Sequence, residues 1–252
     1  MWPVEPVVIT TLMGGQYFPS ACVVALVAAL FACPVAARPI FSAGSTTAMA
    51  EYREGAMRDA SIFYAPEHNW SVGLSHTELK GDPNRHEFEG TYARINLLVK
   101  RWNFESAQAN VYGWGGLGTA HLKIPLTPDG NDDHNHGGPP PTAWREYSID
   151  STNWGGQIDF ETRRIYASFR TDLLDTPKYW HRVDTLELGF APYKHEVDSL
   201  ATWILLSASN YAGNLHEDTE LALMLRFFKK RVWVEAGATT DGLARANLMF
   251  SF

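Results

Sequence analysis

The sequence predicts an all-β fold: a closed antiparallel barrel whose strands run up and down, about twelve in number with ten as second choice. Three observations carry this reading. From Gly44 onward, apolar and polar residues alternate in runs of roughly eight to twelve residues, which is the period of a strand. Polar breaks separate the runs, and short breaks tend to alternate with long ones. The chain ends on "LARANLMFSF", Leu243 to Phe252, an apolar stripe where chain ends are ordinarily polar and expendable.

The expected strands are Thr46–Arg53, Asp59–Ala65, Trp70–Leu79, Glu87–Arg101, Ala107–His121, Tyr147–Phe160, Arg164–Asp172, Val183–Tyr193, Ala201–Tyr211, Glu220–Phe228, Val232–Thr239 and Ala244–Phe252. Alternation is clearest late in the chain. Leu221, Leu223, Leu225 and Phe227 share one face, and Glu220, Ala222, Met224 and Arg226 share the other. In the last run Ala246, Leu248, Phe250 and Phe252 oppose Arg245, Asn247, Met249 and Ser251. With an even strand number both chain ends lie on one side, and the even-numbered breaks fall there. Those breaks are short: Pro66–Asn69, Asn103–Ser106, Glu161–Arg163, Lys194–Ser199 and Lys229–Arg231. The odd-numbered breaks include Lys80–His86 and the longest, Leu126–Ala143.

The same alternation serves a soluble barrel, apolar inside, and a membrane barrel, apolar outside. Mean hydropathy of -0.20 does not separate them, because lumen-facing polar residues offset lipid-facing apolar ones. Aromatic residues at 13%, with nine Trp and ten Tyr, match the interfacial girdles of membrane barrels. Trp70, Trp102 and Trp180, beside breaks, are the girdle candidates. "ACVVALVAALFACPVAA", Ala21 to Ala37, reads as the apolar core and small-residue end of a signal peptide, cleaved after Val35-Ala36-Ala37. No Lys or Arg precedes Ala21, which makes Met13 a candidate start. A retained helix, or a lipoprotein signal at Leu30–Cys33, are the other readings. Both cysteines, Cys22 and Cys33, fall in this segment, so the mature chain carries no disulfide and no thiolate nucleophile. The domains are therefore a signal peptide over 1–37, a short extension over 38–45 and a barrel over 46–252. Net charge of -7 excludes broad nucleic-acid binding.

Together these features point to a transmembrane barrel in the bacterial outer membrane. The terminal Phe252, with Leu248 and Phe250 at alternate positions before it, resembles the signal by which bacterial outer-membrane β-barrel proteins engage the barrel-assembly machinery. The resemblance covers roughly Ser45 to Phe252 and is one of architecture. "NLLVKRWNFESAQANVYGWGGLG" and "FETRRIYASFRTDL" are also similar to a proteobacterial barrel family, from which no activity follows. The expected partners are outer-membrane lipid and that machinery.

An apolar face turned to lipid turns Arg94, Lys100, Arg170, Arg226 and Arg245 inward, with Glu51, Asp159, Glu161, Glu187, Glu220 and Glu235. Interior charges of both signs are expected to form a paired, wet network. Twelve strands lie between filled eight-stranded barrels and open sixteen-stranded ones, so the expected lumen is narrow. Its role is structural or channel-like, passing or binding a small polar solute without a cofactor. Two alternatives remain. "DGNDDHNHGGPPP" places His134 and His136 beside Asp132 and Asp133, which suits capture of a transition metal ion. A membrane-embedded hydrolase acting on lipid or peptide needs a nucleophile and base within reach. Ser75 and His76 are adjacent in sequence, so a strand turns them to opposite faces.

Overall fold

The computed structural model describes residues 43–80, 87–125, 144–194, 199–213, 215 and 217–252. Twelve antiparallel strands close into a barrel in sequence order. They are β1 (Ser45–Arg53), β2 (Met57–Glu67), β3 (Trp70–Lys80), β4 (Glu87–Asn103), β5 (Ala107–Pro125), β6 (Trp144–Thr162), β7 (Ile165–Asp175), β8 (Trp180–Phe190), β9 (Ala201–Gly213), β10 (Asp218–Lys229), β11 (Val232–Thr239) and β12 (Ala244–Ser251). The count of twelve matches the sequence expectation. Strand ends shift by a few residues, and β4 to β6 are longest.

Closure happens where β1 pairs with β12, from Thr47 opposite Ser251 to Arg53 opposite Arg245. Thr46 N–H donates to the Phe252 carbonyl at 2.9 Å, and Phe252 N–H donates to Thr46 at 2.8 Å. The last residue is thus a rung of the closing ladder. A sheet in hydrocarbon has no water to satisfy its edges, so this seam replaces what an open edge would leave unbonded.

The apolar stripe faces outward. Leu223 is 61% exposed and Leu248 48%, while Arg226 and Glu235 on the opposite face are 2% and 4% exposed. A water-soluble barrel would have the reverse arrangement. Ile62, Leu74, Ile95, Leu117, Ile158, Phe169, Ile204 and Leu206 continue the exposed apolar belt around the wall.

At the end of the barrel away from the termini, this polarity inverts. Outward positions become Arg58, Glu78, Glu89, Thr119, His121 and Asp150. Inward positions become Leu79, Phe88, Tyr92, Leu122, Ile124 and Leu174, a cluster that Leu215 from the β9–β10 connection joins. Trp154, 53% exposed, stands on the outer wall where the change occurs. The long strands β4 to β6 therefore extend past the apolar belt, and there the barrel is built like a soluble one. Sequence alternation persists through the switch, because period two says nothing of which face is wet.

Trp102 and Trp180, at 41% and 42%, are exposed near strand ends as girdle residues require. Tyr166 and Trp233 instead face inward.

Candidate functional site: the charged belt of the lumen

Between the apolar cluster at one end and a second cluster of Tyr166, Trp203, Leu205 and Met224, the lumen carries a belt of charges. Charged side chains reach it through the pleat: residues two apart share the inner face. Glu51 and Arg53 are such a pair on β1, and Arg53 Nε meets Glu51 Oε1 at 2.6 Å. Arg170 and Asp172 are another on β7, with Nε 2.5 Å from Oδ2. Arg170 also reaches across the lumen to Glu51 at 3.7 Å.

Two further groups cross between strands. Arg226 on β10 bonds Glu235 on β11 and reaches Glu187 on β8 at 3.0 Å. Its guanidinium lies over the rings of Tyr166 and Trp233, 4.4 and 4.5 Å from their centroids, so charge and aromatic faces hold it from several sides. Asn247 donates to the other Glu235 oxygen at 3.4 Å. Arg245 on β12 bonds Glu220 on β10. Tyr211 links that pair to the first: Arg53 donates to its hydroxyl at 2.8 Å, and the hydroxyl donates to Glu220 at 3.0 Å. Ser209 accepts from both Arg53 and Arg245, at 3.2 and 3.3 Å.

Asp159 is 2% exposed and has amide partners: Asn110 at 2.7 Å and Gln157 at 3.1 Å. Asn110 in turn accepts from Arg101 at 2.8 Å. Glu161, 8% exposed, faces inward beside this group.

Arg94 is held differently. It donates to Asn96 at 2.8 Å and Asn153 at 3.4 Å, and lies 4.8 Å from the centre of the Trp114 ring. A Cβ on Gly155 would stand 2.6 Å from the Trp114 ring and 2.2 Å from the Thr171 carbonyl. Only glycine there leaves room for the indole.

The inward placement expected of Lys100 is corrected. A bulge between Leu98 and Lys100 shifts the register on β5. Lys100 then pairs with Val111 and is exposed, while Arg101 pairs with Asn110 and takes the inner face. An extra residue exchanges the two faces beyond it. Arg53, Asp59, Arg101 and Asp172 are belt residues missing from the sequence candidates. Three of them were legible: Arg53 and Asp172 lie two positions from Glu51 and Arg170, and Asp59 shares a face with Ser61 and Phe63. Arg101 was not, because nothing local marks the bulge.

Ser75 is 2% exposed inside the wall, while His76 on the outer face touches Thr91 at 2.9 Å. His134, His136, Asp132 and Asp133 lie outside the described residues, as does the segment read as a signal peptide. Among the described residues no group of three or more His, Cys, Asp or Glu is placed to hold a metal ion.

Cavities of about 100, 180 and 30 Å³ divide the belt, and Glu51 and Arg170 line all three. About 10–15 Å³ of such space admits one water, so the larger two have room for several waters or one small solute each.

No family model matches the sequence, and no curated protein matches it. Among solved structures the chain is similar to KdgM porin at 12% identity and a TM-score of 0.42, over 82% of this chain and 99% of that one. It is similar to the translocator domain of autotransporter NalP from Neisseria meningitidis at 11% identity and a TM-score of 0.36, over 82% and 85%. In-vitro folded OmpT, an outer membrane protein of Vibrio cholerae, shares 8% identity at a TM-score of 0.30, over 86% and 99%. Closed, apolar on its outer belt and charged within, the chain has the architecture of bacterial outer-membrane β-barrel proteins.

Proposed function

We propose that the chain is exported on its N-terminal apolar segment, inserted into the outer membrane by the barrel-assembly machinery, and works there as a narrow passage or binding lumen for small polar solutes. The observation that carries this reading is the charged belt with its cavities. A barrel serving only as a membrane plug gains nothing from buried charges, since ion pairs replaced by well-packed apolar residues are often as stable or more so. Here the interior instead keeps chambers of 100 and 180 Å³ into which charged side chains face. The apolar cluster at the far end makes the passage narrow there, a constriction of the kind that gates by excluding water.

Planar-bilayer recording tests passage. Single-channel steps in potassium chloride are expected, and they are expected to grow when Leu79, Phe88 and Leu174 in the constriction are replaced by alanine. A protein that inserts but conducts in neither form would refute passage.

Assembly provides a second expectation. Deleting Phe252 removes both hydrogen bonds it makes to Thr46 across the seam, along with the terminal aromatic. Less folded barrel is expected in the outer membrane than after deletion of 131–137 from the longest connection. Equal amounts by heat-dependent gel mobility would count against a role for the last residue.

A further inference from the structure

Most charges of the belt are matched by the protein itself. Arg53, Arg170, Arg226 and Arg245 each contact a carboxylate. Arg101 and Asp159 are joined through the Asn110 amide. Arg94 and Asp59 are the exception. Arg94, 9% exposed, has Asn96 and Asn153 as its hydrogen-bond partners. Asp59 accepts from the Thr77 hydroxyl at 2.6 Å. Neither makes an ion pair within 4.0 Å among the described residues, though both line the 180 Å³ chamber and the smaller one beside it. A buried charge without a counter-charge is costly unless wet or matched, and here a cation and an anion face one chamber with the same need.

We propose that this chamber binds a small zwitterion carrying a carboxylate and an ammonium, as a neutral α-amino acid does. The carboxylate meets Arg94, a fork suited to it, and the ammonium meets Asp59. The other charges of the chamber are Glu51 and Arg170. They are already engaged, with each other at 3.7 Å and with partners of their own, Glu51 with Arg53 at 2.6 Å and Arg170 with Asp172 at 2.5 Å, so their direct contacts are taken. Tyr112 and Met249 offer an apolar wall for a short side chain. A solute with one charge satisfies one group and leaves the other unmatched, which is how the chamber discriminates.

The inference deepens the reading of the lumen as a solute path and rests on it for the solute's route of entry. The test is calorimetric titration of the folded barrel in detergent micelles with alanine, propionate and propylamine. Alanine is expected to bind saturably and about tenfold tighter than either single-charge analogue. Asp59→Asn should abolish that preference while leaving propionate binding, and Arg94→Gln should weaken alanine and propionate alike by about tenfold. Thr119→Ala, on the outer wall of β5, should change neither. Alanine that fails to saturate, that binds no tighter than propionate, or that binds both variants as before overturns the proposal. If either variant fails to fold by gel mobility, Asp59→Glu and Arg94→Lys move the charge without removing it. A shifted alanine affinity in those supports the site, and an unshifted one overturns it. Bilayer conductance reads the other question separately: a barrel that conducts without binding alanine overturns only the zwitterion site, and one that binds alanine without conducting overturns only passage.

Discussion

Arg226→Leu is expected to destabilise the barrel by about 3–5 kcal/mol, the range for removing one partner of a buried ion pair. Arg226 is 2% exposed and is shared between Glu235 and Glu187, with aromatic rings on two sides. Leucine leaves Glu235, itself 4% exposed, as a carboxylate whose remaining hydrogen-bond partner among the described residues is the Asn247 amide at 3.4 Å. The cost comes from that stranded charge more than from the lost attraction. It follows that Arg226→Leu with Glu235→Leu should recover much of the loss, because the double substitution strands nothing at that pair. Glu187 is better placed to tolerate the change, since its side chain is 20% exposed. Equilibrium unfolding in urea, from phospholipid vesicles, measures both. A double variant as unstable as the sum of its single variants would show that the pair is not energetically coupled.

Leu223→Arg should cost about 2–4 kcal/mol in the same assay, as expected for arginine at the lipid midplane of a barrel. Leu223 is 61% exposed on the outer wall of β10, flanked by Leu206 on β9 and Ala238 on β11. In water such an exposed site would accept arginine at little cost. The expected penalty therefore reports the solvent, not packing. Thr119→Arg is the control. Thr119 is exposed on the polar part of β5, beyond the level at which the wall changes character, and should cost only about 0–1 kcal/mol. Equal, small effects at both positions would mean that the apolar belt does not meet lipid.

Several features of the fold were legible because they are local. The pleat turns alternate side chains to opposite faces, so "ELALMLRFF" places Arg226 opposite Leu225 whatever the partner strands do. The same rule supplied Glu51, Arg170, Glu220, Glu235 and Arg245 as inward residues. Lys100 failed under that rule because a bulge, invisible as a pattern, sits one residue before it. The apolar interior at Leu79, Phe88 and Leu122 was also missed. Those residues alternate as regularly as the belt does, and only the end of the apolar outer wall shows that the faces have exchanged character.

Alone, the sequence determined strand number, up-and-down order and, outside the β4 bulge, the division of residues between two faces, since each depends on a period of two and on the breaks between runs. Tertiary structure decided which face meets lipid at each level, and which charges meet one another. Arg53 bonds Tyr211 across 158 positions of chain, and Arg94 shares a chamber with Asp59 without touching it. Such meetings depend on the radius and stagger of the closed barrel, and closure is a property of all twelve strands at once.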